Sequence, residues 1–183
     1  MRRVLVGVAP VLVVLAAALP LAVDRTEASV AAPARLLCGT ERWKVKTLQD
    51  RPHLLALQTK TIAWLASQPK PKPLPATRLP FEYHQFRVVA EVRKVLTEKD
   101  DDLHLVLYQA TEHMIAEAPT AACNTGATSY RRTQMKTVRA AVRVCARAEI
   151  IGVAFFDFFH RQTGVAPNEI ELHPILKFHC LSA

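Results

Sequence analysis

From residue 86 onward the apolar residues of this chain recur at every second position, and that period restricts the segment to half-buried strands. Phe86, Val88, Ala90 and Val92 share one face, while Arg87, Glu91 and Arg93 fall on the other. After the polar turn at 97–102, Leu103, Leu105 and Leu107 alternate with His104, Val106 and Tyr108 in a second strand. A turn at 110–112 leads into a third strand over 114–117, which Pro119 ends. The period then changes. Between residues 129 and 140, Met135 and Val138 stand at helical spacing and Arg132, Lys136 and Arg139 recur at i, i+4 and i+7, with Thr128 or Ser129 placed to cap one amphipathic helix. From Val142 β-branched alternation returns and predicts a fourth strand running through Ile151 to Phe159, bulged or bent at Gly152. A loop at 161–168, with Gly164 and Pro167, returns the chain into a fifth strand over 169–178.

Three strands, a helix and two strands in about one hundred residues match the order of the OB-fold, a mainly β five-stranded Greek-key barrel whose helix lies between strands three and four. An unrelated open α+β sheet is the competing arrangement, because the pattern does not encode strand order in space. Upstream, residues 35–67 form an N-terminal strap, with an extended piece at 42–48 and a helical turn near 61–66. Residues 68–80 form a proline-rich connector, in which Pro69, Pro71, Pro73 and Pro75 fix φ, remove donors and keep the segment out of a sheet interior. The OB-like domain follows over 81–183.

Residues 1–34 read as a secretory signal and processing region. Arg2 and Arg3 precede an apolar run from Val4 to Val23, and small residues follow between Ala28 and Ala34. The run is long enough to span a bilayer, so membrane attachment is expected only if the leader stays uncleaved. Leu36 and Leu37 before Cys38 do not fit a lipid-attachment site. Removal of 1–34 leaves 149 of the 183 residues and a net charge of +7 instead of +8. One domain of that size is expected, in a secreted or periplasmic setting.

Four cysteines remain, Cys38, Cys123, Cys145 and Cys180, in an even number and without a CxxC spacing, which points to disulfides and not to zinc. Three pairings are possible. Cys38 with Cys123 and Cys145 with Cys180 ranks first, since each bond ties a loose segment to the domain. Alternation places Cys145 on the polar face of its strand and Cys180 on the apolar face, so the second bond also requires a bulge. The positive charge admits an anionic ligand or an acidic polysaccharide as partner. Nucleic acid is disfavoured by Glu98, Asp100, Asp101 and Asp102, which would repel a phosphate backbone from the loop between the first two strands. Tyr108 and His104 offer stacking on the strand face, and Arg87, Arg93 and Lys94 offer charge.

Several blocks carry a resemblance. They are CGTERWKVKT from Cys38 to Thr47, DLHLV from Asp102 to Val106, MIAE from Met114 to Glu117, GVAFFDFFH from Gly152 to His160, QTGVAPN from Gln162 to Asn168, and IELHP from Ile170 to Pro174. Together they resemble a family of small secreted bacterial proteins of uncharacterised function. The resemblance covers nearly all of the chain beyond the leader. It implies an envelope or extracellular setting, supports the pairing of Cys38 with Cys123, and supplies no activity. Arg161 stands where the resemblance leads one to expect glycine after the histidine.

No GxSxG elbow, HExxH, P-loop or GxGxxG occurs, so no catalytic set and no cofactor is assigned. One constellation stands out: Asp157 and His160 at the end of the fourth strand, Asn168 in the loop, and Glu171 and His173 on one face of the fifth. Read structurally, these residues fix a tight hairpin, with Asp157 accepting backbone hydrogen bonds. Read chemically, the oxygen and imidazole donors suit a divalent transition metal that could hydrolyse a phosphodiester or other ester. The structural reading carries more weight, and with it a non-catalytic binding or envelope-associated module; a metal-dependent hydrolase is the alternative.

Overall fold

In the computed structural model, residues 38–183 are described, and the leader assigned to residues 1–34 lies outside them. The elements are helix α1 (Trp43–Lys46), strand β1 (Gln58–Thr59), helix α2 (Ile62–Ala66), strands β2 (Gln85–Thr97), β3 (Leu103–Gln109) and β4 (Glu112–Ala118), helix α3 (Ser129–Ala141), and strands β5 (Cys145–Phe156) and β6 (Ile170–Ser182). The sheet order is β1-β2-β3-β4-β6-β5, and β2 also pairs with β5, so the last five strands close on themselves. Closure depends on the length of β2. Its first half pairs antiparallel with β5 and its second half with β3, with register shifts near Val92. The other seam is the parallel pairing of β4 with β6, Ile115 opposite Glu171 and Ala116 opposite Leu172. With α3 between the third and fourth barrel strands, this is the OB-fold order.

The alternation that predicts the strands also fills the barrel. Phe86, Val88, Ala90 and Val92 of β2 meet Leu105, Leu107, Met114, Ala116, Ile150 and Leu172 in one buried cluster. Each large apolar side chain removed from water contributes roughly 1.5–3 kcal/mol. Thr128 caps α3 by accepting from the Arg131 amide, and the helix buries Met135 and Val138. Gly152 lies in β5 where the pairing with β6 shifts register, and a Cβ there would come 2.7 Å from the Leu172 Cβ and 3.2 Å from the Pro174 carbonyl oxygen. Only glycine lets the two strands approach so closely.

Both disulfides are formed, Cys38 with Cys123 and Cys145 with Cys180, at Cα separations of 5.4 and 5.9 Å. The second rests on a bulge in β5. Ala90 and Val92 of β2 face Ala148 and Cys145, so one extra β5 residue intervenes, Ala146 and Arg147 turn to solvent and Cys145 is buried. Disulfides of this kind persist in oxidising compartments.

The strap differs from its expected form. Instead of an extended piece, residues 43–46 make one helical turn, entered and left through left-handed residues, Arg42 at φ 50° and Leu48 at φ 58°. The turn sends Arg42 and Lys46, four residues apart, inward together. Arg42 makes two bonds to Glu82, at 2.6 and 2.7 Å, and a further bond to the Phe156 carbonyl. Ile62 and Leu65 of α2 enter the barrel core, and the connector packs on it through Leu74. Strand β5 also ends at Phe156, three residues before its expected end, leaving Phe158 and Phe159 exposed.

Candidate functional site

The outer wall of the barrel along β3, β4 and β6 carries a layer of largely buried charge. Its centre is Lys46. The ammonium lies 3.1 Å from Glu117, 3.1 Å from Asp157 and 3.4 Å from Glu171, with its side chain 10% exposed. His173 stands beside it at 0% exposure. Its Nδ1 is 2.8 Å from the Lys46 carbonyl oxygen, and its Nε2 is 3.2 Å from both Asp102 and Glu117. Each ring nitrogen faces an acceptor, so each donates and the ring is held as an imidazolium. Burial and the Lys46 ammonium oppose that charge, but the bonds to Asp102 and Glu117 outweigh them and raise the pKa to about 9.

His104 repeats the arrangement on β3, across β4 from His173, with Nδ1 3.1 Å from Glu117 and Nε2 2.8 Å from the Thr163 carbonyl oxygen. Burial works against its protonation, yet Glu117 and Thr163 raise its pKa above the ordinary value. Glu117 therefore serves three cations. Its burial is overcome by Lys46, His104 and His173, which hold it well below the usual carboxylate range. Glu171 behaves in the opposite way. Burial first, and then the neighbouring Glu117 and Asp157 charges, override Lys46 and push it up to about 8. Among the described residues its buried Oε1 has no hydrogen-bond donor, although the Lys46 ammonium stands 3.4 Å away. The buried acids Asp102, Glu117, Asp157 and Glu171 thus interleave with the bases Lys46, His104 and His173. Such a set is stable as a closed network but loses heavily if one member is removed.

The constellation read from the sequence is thus divided. Glu171 and His173 do share the outer face of β6, and Asp157 joins them through Lys46. Asp157 also accepts from the Phe158 amide at 2.8 Å. His160 does not join them. It reaches back to the strap, where its Nε2 is 3.0 Å from Glu41 and 3.7 Å from Asp157. Asn168 lies elsewhere, donating to the Leu65 and Gln68 carbonyl oxygens and so fastening α2 to the loop. Arg161 takes φ 56°, the left-handed region that favours glycine.

Two further expectations require correction. The turn at 97–102, polar in sequence, is not wholly exposed. Asp102 is fully buried, accepting from the Thr120 amide as well as facing His173, and Asp101 pairs with Arg139. Only Glu98 and Asp100, then, turn acids of this loop toward the cleft described below. His104 offers no stacking surface, because Thr163 and Glu117 enclose it; Tyr108 is covered by the Arg93 guanidinium at 3.7 Å from its ring centre. Sequence reasoning misses Lys46, Glu117 and Glu41 as site residues, and takes His104 for a stacking group and Asp102 for an exposed repelling charge. A signal was present for Glu117, a lone acid closing the apolar run Met114–Ile115–Ala116.

Above the network lies an open cleft of about 310 Å³. It is bounded by the loop joining the first two barrel strands (Glu98, Lys99, Asp100), the loop joining the last two (Asp157, His160, Gln162), and the strap (Gly39, Thr40, Glu41, Trp43), with Lys46 and Glu117 at its floor. Five carboxylates face two ammonium groups. Asp100 reflects the imbalance, since burial and then the neighbouring Asp102 charge raise its pKa. The half-buried Trp43 indole presents to the cleft while its Nε1 donates to the Cys123 carbonyl at 2.8 Å.

No protein-family model matches the chain, and no curated protein matches it. Among solved structures the chain is similar to a protein assigned as an aspartyl-tRNA synthetase from Leishmania major Friedlin, at 12% identity and TM-score 0.45 over 68% of this chain and 21% of that one. It is also similar to the asparaginyl-tRNA synthetase of Entamoeba histolytica, at 8% identity and TM-score 0.41 over 70% and 24% of the two chains. For the aspartyl-tRNA synthetase of the same organism the values are 12%, 0.39, 72% and 26%. The chain spans about a fifth to a quarter of those proteins. At these values the likenesses carry no functional argument, and the fold assignment rests on strand order and register.

Proposed function

We propose that the chain is an exported, non-catalytic binding module of the bacterial envelope or extracellular space, one of the secreted family it resembles, and that its ligand enters the cleft. The observation that carries this reading is the position of the cleft. It opens between the two loops, 98–102 and 157–169, with which OB-folds hold oligonucleotides and oligosaccharides. The strand face that usually adjoins those loops is used internally. His104, Val106, Ile115 and Glu117 are buried there, with Gly164 so close that a Cβ would lie 2.6 Å from Val106. On this face a ligand is therefore limited to the cleft, and an extended nucleic acid strand finds no platform there.

The excess of carboxylates in the lining disfavours the anionic ligand that net charge alone admits. A neutral or amine-bearing saccharide fits better, with its hydroxyl or ammonium groups donating to the acids and a ring face against Trp43. The hydrolase alternative draws less support from the hairpin, where the Lys46 ammonium already occupies the cation position among Glu117, Asp157 and Glu171. Titration of the oxidised protein with neutral, amine-bearing and acidic oligosaccharides, followed by NMR, tests the proposal. Neutral or amine-bearing sugars should shift cleft resonances, and Trp43→Ala should weaken binding by roughly tenfold, the order of one aromatic contact. Preference for acidic sugars, binding indifferent to Trp43→Ala, or cleavage of the sugar would overturn it.

A further inference from the structure

We infer that Glu41, Asp157 and His160 form a divalent transition-metal site at the rim of the cleft. Their ligand atoms, one from each side chain, all lie within 4.8 Å of one another. His160 Nε2 is 3.0 Å from a Glu41 oxygen and 3.7 Å from an Asp157 oxygen. Donors about 2.0 Å from a tetrahedral zinc stand roughly 3.3 Å apart, a value these two distances bracket. Side chains separated by more than a hundred residues converge here, Glu41 from the strap and the other two from the loop after β5.

The central ligand is held in advance. Asp157 is 5% exposed; its Oδ2 is bound by Lys46, and its Oδ1, fixed by the Phe158 amide, is the oxygen turned toward His160. The Lys46 bond to the other oxygen is of the kind that sets a ligand's direction. Glu41 and His160 are exposed, so the fourth position opens to solvent and to the cleft. The excess of carboxylates around the cleft supplies an attractive field for a cation. Two carboxylates and an imidazole suit zinc or manganese better than calcium, because calcium selects oxygen donors alone. The metal's open position would coordinate a hydroxyl or carbonyl oxygen of whatever occupies the cleft.

The inference stands or falls on metal binding alone and does not depend on the saccharide. Calorimetric titration of the oxidised protein with Zn²⁺, and separately with Ca²⁺, tests it, with thermal melts of each variant to monitor folding. One equivalent of Zn²⁺ should bind, with affinity reduced by roughly a hundredfold in His160→Ala and in Glu41→Gln, the upper end of what loss of a supporting group costs. Both positions are exposed, so the melts should be unchanged. Lys177→Ala, in the surface pair with Glu149, should bind as the parent does. Absence of stoichiometric Zn²⁺ binding would overturn the assignment. So would binding that survives His160→Ala, or Ca²⁺ binding as strong as Zn²⁺ and indifferent to that change.

Discussion

Replacing Lys46 with methionine keeps an unbranched side chain, one atom shorter, and removes the charge together with its N–H donors, so it tests what the ammonium does at the centre of the network. Three carboxylates lie within 3.4 Å of that charge, and all are nearly excluded from water. Breaking a buried ion pair by removing one partner costs about 3–5 kcal/mol, because the remaining charge is left without compensation. That is the loss expected in Lys46→Met at pH 7, measured by urea denaturation followed by circular dichroism. The pH dependence gives a sharper test. In the parent, Glu117 is held well below the ordinary 4.5, so its contribution is present above that value and is lost as pH falls through the depressed one. Without Lys46 the folded-state pKa of Glu117 rises, the folded variant takes up protons at higher pH, and the stability gap to the parent narrows between pH 7 and pH 5. A loss below about 1 kcal/mol, or a gap that stays constant across that range, would refute the assignment of Lys46 as the compensating charge.

His173 makes a second prediction with a definite sign. Its pKa rises from 6.5 to about 9 on folding, so its contribution of about 3 kcal/mol is complete below pH 6.5 and is lost as pH rises toward 9; denaturation across that range should show the decline, and His173→Gln should flatten it. Gly152→Ala should destabilise by about 1–3 kcal/mol in the same assay, because the new methyl meets the Leu172 Cβ and the Pro174 carbonyl, neither of which can swing aside.

The barrel was legible because its information is local. Each strand announces itself by alternation within its own residues, and the order of strands around one helix then leaves few closed arrangements. The bulge at Ala146 and Arg147 was legible for a similar reason. Alternation placed Cys145 and Cys180 on opposite faces, and a bond between them therefore required an extra residue in one strand. The strap was not legible, because a single helical turn is too short to show a period. Trp43, Lys44, Val45 and Lys46 also alternate in polarity as a strand would.

The charge network shows a deeper reason why sequence alone stops short of the site. Lysine in a polar segment and aspartate in TEKDDD are ordinarily solvated, and nothing near Lys46 or Asp102 in the chain contradicts that reading. What buries them is distant: Lys46 finds its partners at Glu117, Asp157 and Glu171, and Asp102 finds His173. The usable clue lies on β6, where Glu171 and His173 alternate with Ile170 and Leu172 as if facing water, while every residue from Ile170 to Leu176 is buried. A strand with polar residues on one face and no exposed side must have that face covered by something carrying opposite charge and donors. In this chain the covering element is the strap, and Lys46 is the charge it brings. The same strap that covers Glu117 and Glu171 leaves Asp157 with one oxygen turned outward toward His160 and Glu41. The closed network and the open cleft therefore meet at Asp157, which serves as a structural partner on one side and a preset ligand on the other.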